Sequence, residues 1–183
     1  MKIIGISGSP RKGNTEFMVK TCLEACKKAG AETELILLRQ KKIRHCDGCD
    51  SCYETGKGCH IKDDMQKVYK SLFNSETWVL GSPNYFKNVS GLMKDFIDRT
   101  NAYCNPPKFK NKKIGIICVG GQSLYNIHFC ENIFKEFIKD HKMKLIGSVM
   151  AKANEPREVA KNKKVIKKLQ DLGEKLVKSI KTK

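Results

Sequence analysis

The sequence predicts an α/β domain of three layers, in which a five-stranded parallel sheet in the order 2-1-3-4-5 carries helices on both faces. Three observations predict it. Short apolar runs alternate strictly with amphipathic segments along the chain. Each run is apolar throughout rather than at every second residue, as strands buried on both faces are. Most of the runs end in glycine, serine or proline, the residues of a tight turn. A chain of 183 residues fits one domain, 1–183, large enough to bury a sizeable core. No repeat, low-complexity linker or second domain is visible.

The elements follow in order. KIIGIS (2–7) is a buried strand ending in a Gly/Ser turn. Asn14 and Thr15 open a helix whose inner face carries Phe17, Met18, Cys22, Ala25 and Cys26, and Gly30 stops it. TELILL (33–38) is the second strand. A cysteine-rich insert occupies about 40–62, and Asp63 or Asp64 then caps a helix bearing Met65, Val68, Tyr69, Leu72 and Phe73. TWVLGSP (77–83) is the third strand, and Ser90 caps a helix that turns Leu92, Met93, Phe96 and Ile97 inward. KIGIICVGG (113–121) is the fourth strand, and its helix carries Ile127, Cys130, Ile133, Phe134, Phe137 and Ile138. LIGSVMA (145–151) is the fifth, followed by a last helix lined by Val165, Ile166, Leu169, Leu172, Leu176 and Ile180. The tail KTK is expected to fray.

An open α/β sheet binds its ligand beyond the carboxyl ends of the strands, and three loops there carry suitable residues. SGSPRKGNT (7–15) joins a strand to a helix N-terminus. Its glycines, Gly13 among them, let backbone N–H groups approach an anion, and the helix dipole favours negative charge. Ser7, Ser9, Asn14 and Thr15 add donors and Arg11 adds charge, a set suited to one terminal phosphate. The loop lacks the Lys–Ser/Thr ending of a Walker loop and the third glycine of a dinucleotide fingerprint. GSPNYFKNVSG (81–91) stiffens at Pro83 and offers Asn84, Tyr85 and Phe86, a polar group and two flat surfaces for an aromatic ring. The same aromatics could instead be covered by a neighbouring subunit. VGGQSLYN (119–126) places Gly120 and Gly121 where backbone can pass close to a planar ligand. A phosphate cradle beside aromatic surface points to a mononucleotide with a large ring. FMN fits better than ATP, because no acidic Mg²⁺ ligand stands beside the phosphate loop.

Cys46, Cys49, Cys52 and Cys59 read C-x2-C-x2-C-x6-C. Thiols at steps of three can converge on one centre, and the x2, x2 triplet is that of cuboidal [4Fe–4S] ligation. The fourth spacing is wider than in ferredoxins, and His60 rather than proline follows it. Two other readings stand beside the cluster: a structural zinc, which more often takes separated CxxC pairs, and a bare thiol loop. Asp47 and Asp50 would add negative charge to a cluster. His45 and His60 read as solvated flanking residues rather than ligands, with His60 able to tune the site by hydrogen bonding. Cys22, Cys26, Cys118 and Cys130 fall on apolar faces and read as core; Cys104 receives no role. With nine cysteines, an odd count, and no signal peptide, the chain reads as cytoplasmic and reduced rather than as a disulfide framework. No run is long and apolar enough to span a membrane. The net charge of +17 reads chiefly as a lysine-rich solvated surface, able also to attract an acidic partner. No motif that reads DNA or RNA is present.

SGSPRKGNT, CDGCDSCYETGKGC followed by IKDDM, and GSPNYFKNVSGLMKDFIDR together resemble the NAD(P)H-dependent FMN reductase group of the flavodoxin-like proteins, and within it the iron–sulfur flavoproteins. The resemblance runs from residue 1 to about 150. It implies a flavodoxin-like fold, bound FMN as the reactive group without a dedicated catalytic side chain, and a [4Fe–4S] cluster on the four cysteines. It implies a homodimer or homotetramer in which one subunit's cluster lies near a neighbour's flavin, and a ferredoxin-like electron carrier as partner. Direct use of NAD(P)H, by a cluster-free FMN or quinone reductase, is the alternative, and a basic nucleic-acid-binding module is the reading from a different class.

Overall fold

Side chains alternate across a strand, so each strand here serves two cores. The computed structural model describes residues 1–181 and contains one parallel sheet in the order β2-β1-β3-β4-β5. The strands are β1 Lys2–Ser7, β2 Glu32–Leu37, β3 Thr77–Pro83, β4 Lys113–Gly120 and β5 Lys144–Lys152. The helices are α1 Asn14–Lys28, α2 Ser51–Thr55, α3 Met65–Phe73, α4 Gly91–Thr100, α5 Leu124–Asp140 and α6 Lys163–Lys181. Ile4, Ile6, Trp78, Leu80, Ile114 and Ile116 meet α3, α4 and α5 on one face. Ile3, Val79, Ile117 and Val119 meet α1 and α6 on the other. The three layers and the strand order are those the sequence predicts. The end of the KTK tail lies outside the described residues.

The differences are local. β2 begins one residue early and gives way at Leu38 to a single 3₁₀ turn, while β5 gains a residue at each end. Asp64 takes the cap position of α3 without a side-chain capping bond. Asp63 instead accepts from the Met65 N–H at 2.9 Å. Phe73 is 44% exposed, held at the rim by an edge-on contact with Tyr103. Cys22, Cys26, Cys118 and Cys130 are buried as expected, and Cys104 is half-buried. The insert is not structureless, because it contains the short α2.

A buried histidine at the end of α5 sets a pH response. His141 is 2% exposed, between the rings of Phe109 and Phe137, with Nε2 3.2 Å from the Thr100 hydroxyl. Burial pushes its imidazole down from 6.5 to about 4, against the opposing pull of Asp140. The unfolded chain therefore binds a proton between pH 6.5 and 4 that the folded chain refuses. Stability is full above that window and falls through it as pH drops, by about 3 kcal/mol from this group. Urea midpoints across the window should fall more steeply for the native chain than for H141F, and parallel curves would contradict the assignment.

Candidate functional site

In a parallel sheet the carboxyl ends of all strands share one edge, and the loops leaving β1, β3 and β4 meet there. The Gly8 N–H donates to the Gly81 carbonyl at 2.8 Å. The Ser90 hydroxyl donates to the Gly8 carbonyl at 2.5 Å and accepts from the Met93 N–H at 3.2 Å. One serine thus caps α4 and holds the first loop down. A Cβ on Gly8 would lie 2.7 Å from that of Met93, so only glycine lets the loop sit this close to α4.

These loops enclose a cleft of about 150 Å³ lined by Ser9, Arg11, Asn14, Thr15, Pro83, Asn84, Tyr85, Gly120 and Gly121, all expected at the site, together with Val119. It adjoins an open space of about 460 Å³ bordered by Phe86, Lys87 and Gln122. Ala153 and Asn154, which follow β5, complete the lining; sequence reasoning missed this fourth loop, which carries no glycine or aromatic signal. Ser7 and Gly13 do not line the cleft. Ser7 lies beneath it, fully buried at the end of β1, and Gly13 is the cap residue of α1.

The N-terminus of α1 is built to receive an anion. No side chain caps it, and its ladder begins only at the Phe17 N–H, which donates to the Gly13 carbonyl at 3.1 Å. The preceding backbone N–H groups are those a helix leaves for a ligand. Thr15 is 2% exposed and turns into the cleft, and Arg11 stands at its rim. Asn14 plays a different part from the one expected of its side chain. Its Nδ2 donates to the Glu155 carbonyl at 2.8 Å and its Oδ1 accepts from the Val159 N–H at 3.1 Å. Both polar atoms are committed to tying α1 to the fourth loop, which leaves only the backbone N–H of Asn14 for an anion. Glu16, on the same turn, is no cation ligand: its carboxylate pairs with Arg39 at 2.7 Å and Lys20 at 2.8 Å. Burial alone would raise its pKa, and these two cations hold it below the usual carboxylate range.

The rest of the cleft fits a planar ring. A Cβ on Gly120 would lie 3.1 Å from that of Asn84, and one on Gly121 would lie 2.2 Å from the Asn154 Oδ1. The Asn84 Oδ1 in the lining is buried and lacks a hydrogen-bond partner among the described residues, as does the Ser7 Oγ beneath the cleft. Unanswered polar atoms at a cleft are groups a ligand can satisfy. Tyr85 and Asn88 exchange two backbone hydrogen bonds at 2.9 Å. Between them Phe86 and Lys87 adopt φ of 48° and 61°, a strained turn for residues with side chains. Phe86 stands fully in solvent there.

The cysteine insert forms a second constellation. Residues 42–44 and 61–65 run together at its root: the Lys42 N–H donates to Asp64 and the Arg44 N–H to Asp63, each at 2.9 Å. Gly48, Asp50, Gly56 and Gly58 take positive φ and fold the segment between them into tight turns. Cys52 and Cys59 are half-buried, whereas Cys46 and Cys49 are exposed. Cys59 packs against the α3/α4 core. Burial first, then the nearby thiols of Cys59 and Cys46, push the Cys52 thiol up. The thiols of Cys46 and Cys59 therefore lie within electrostatic reach of Cys52. Cys49 turns aside, with its Sγ 3.3 Å from the Ser51 hydroxyl. It forms with Asp47 and His60 an exposed group whose ligand atoms lie within 4.8 Å of one another. His60 is bonded to Asp47 at 2.8 Å and His45 to Asp95 at 2.6 Å, so neither is a purely solvated residue. All nine cysteines are free thiols.

α4 links the two constellations. Ser90 at its start holds the loop between β1 and α1, while Arg99, Asn101 and Tyr103 at its far end touch the insert. Its ten residues span about 15 Å.

Sheet order, glycine cradle and uncapped helix define a flavodoxin-like fold with a mononucleotide cleft. Solved structures share that fold over the whole chain: a flavone reductase, with TM-score 0.81 and 20% identity, covers 100% of this chain and 64% of its own. A flavodoxin from the domain Archaea has TM-score 0.66 and 16% identity and covers 99% of each chain. The family model for NADPH-dependent FMN reductases matches residues 1–156. The chain belongs to that family, and it is an FMN-dependent oxidoreductase. Its relatives include an iron–sulfur flavoprotein of Methanocaldococcus jannaschii, 37% identical over 80% of this chain and 76% of the relative. A second from the same organism is 41% identical over 66% and 62%, and one from Methanosarcina thermophila is 34% identical over 66% and 64%. The curated relatives therefore extend beyond the stretch they share with this chain.

Proposed function

We propose that this protein is an iron–sulfur flavoprotein that passes electrons between FMN and a one-electron carrier. The carrying observation is the four-cysteine insert itself, with the Cys46 and Cys59 thiols within electrostatic reach of the half-buried Cys52, on a chain whose relatives bear that name. Cys49, whose thiol is exposed, is the fourth ligand in this reading. In this reading the backbone N–H groups of Asn14 and Thr15, the Thr15 hydroxyl and Arg11 hold the flavin phosphate. Asn84, Gly120 and Gly121 hold the ring edge, and Tyr85 and Phe86 cover its face. A [4Fe–4S] cluster on Cys46, Cys49, Cys52 and Cys59 would supply single-electron transfer and FMN two-electron exchange. The protein's own work is orientation and exclusion of water, because among the described residues the cleft lining holds no carboxylate, histidine or thiol.

The separation along α4 supports a homo-oligomer, dimer or tetramer, in which one subunit's thiol loop serves its neighbour's flavin. The exposed Tyr85 and Phe86 are the surface such a neighbour would cover. A net charge of +17 supports an acidic, ferredoxin-like carrier as partner. Among the described residues no helix is long and apolar enough to cross a membrane, and we place the protein in the cytoplasm. The family description supports a second reading, direct reduction by NAD(P)H without a cluster. Anaerobic mixing separates the two. Flavin absorbance should bleach on addition of a reduced low-potential ferredoxin and do so far more slowly with NADH or NADPH. Rapid bleaching by a nicotinamide alone would favour the second reading.

A further inference from the structure

We infer that Arg99 is the clamp that positions the thiol loop, by closing the two chain segments from which the loop springs. The inference deepens the iron–sulfur reading and rests on it for its cluster. Arg99 lies in the last turn of α4 and its side chain is 0% exposed. A guanidinium is buried at high cost unless its donors are answered. Nη1 donates to the Asp63 carboxylate at 2.6 Å and to the Arg44 carbonyl at 2.9 Å. Nη2 donates to the Ile61 carbonyl at 3.1 Å and to Asp63 at 3.2 Å.

These partners are not scattered. Arg44 and Ile61 bracket residues 45–60, the segment that carries all four cysteines. Asp63 completes the closure, accepting from the Arg44 and Met65 N–H groups at 2.9 Å each. Burial alone would raise its pKa, but the Arg99 hydrogen bond and those two N–H groups hold it below the usual carboxylate range. The turn that follows α4, residues 101–103, makes two further contacts just beyond this point. Tyr53 donates to Asn101 at 2.5 Å, and Gly58, at φ +82°, lies so close to Tyr103 that a Cβ there would meet its hydroxyl at 2.7 Å.

Two observations separate this arrangement from an ordinary buried ion pair. The packing of α4 is already supplied by Met93 and Phe96, so the helix needs no buried cation. The Nε–H of Arg99 is also buried without a partner among the described residues, and Cys59 lies within electrostatic reach of the guanidinium. A fixed cation beside one ligand sulfur affects both retention and potential of a cluster. Lysine cannot replace it, since a single ammonium cannot bridge two carbonyls and a carboxylate in one plane.

The test uses the full chain in two forms, R99K and the charge-free pair R99M/D63L, the second guarding against a fold lost to an unpaired Asp63. Both should keep FMN and the circular dichroism of the native protein. After anaerobic loading with iron and sulfide, cluster retention per flavin should fall by about tenfold, the scale of an outer-shell loss. The midpoint potential of the remaining cluster in R99M/D63L should shift from the native value. In iron-free, FMN-loaded protein, trypsin should cut at Arg44 and Lys57 several-fold faster in both variants, roughly the response of a loop whose closure is lost. Native iron content, potential and cleavage rate in R99K would overturn the clamp. If the native protein takes up no iron, the cluster reading fails by itself. The cleavage rates then decide the clamp, with equal rates in native and variant chains overturning it.

Discussion

Replacing Thr15 by glutamate is expected to strip FMN from the protein while leaving it folded. Thr15 sits in the first turn of α1, nearly buried, and faces the cleft. A carboxylate there occupies the place of the phosphate and takes up the helix N-terminus for itself. It is favourable for the helix, whose positive end it neutralises, and unfavourable for a second anion. Two unit charges about 4 Å apart at a protein surface repel by about 4 kcal/mol. With the threonine donor also lost, flavin affinity should fall by at least about 100-fold, or 2.7 kcal/mol. Quenching of flavin fluorescence by the apoprotein reports the affinity, and a urea midpoint at or above the native value reports the fold. Affinity within a few-fold of native would move the phosphate to another site.

The second large effect is loss of iron from C59S with FMN still bound. Cys59 is the thiol the structure constrains most: it packs on the α3/α4 core, follows the tightly held Gly58, and lies near Cys52 and Arg99. A serine hydroxyl, far less acidic than a thiol, is a poor ligand for iron at neutral pH. Iron per flavin should fall by roughly tenfold or more, since metal binding and the order of the loop are coupled. The cleft is built from other loops and should keep its flavin. C118S, in the buried core of β4, is the control and should leave the iron count unchanged. C59S with its iron intact would remove Cys59 from the ligand set.

Local signals made the sheet legible. Each strand is an apolar run closed by a turn residue, and that pattern needs no distant partner to be recognised. The turn between β1 and α1 was legible for the same reason, because a strand, a glycine turn and a helix start follow one another within fifteen residues. What escaped depends on residues far apart in the chain. Asn14 reads as an anion donor until Glu155 and Val159 are brought against it. Arg99 reads as an ordinary cation in the last turn of a helix, and only the fold delivers Asp63 and the Arg44 carbonyl to bury it. His141 looks like a solvated residue after a helix, and its burial comes from Phe109 and Thr100, supplied by other segments. α2 is too short to show a period, and its start at Asp50 requires a left-handed residue that composition does not announce.

The central claim is that this flavoenzyme carries an inorganic cluster on residues 46–59. Counting iron and acid-labile sulfide against FMN in protein purified under argon tests it most directly. The account predicts about four of each per flavin, the content of one cubane. One metal ion per chain without sulfide, or a flavin accompanied by neither, would contradict it.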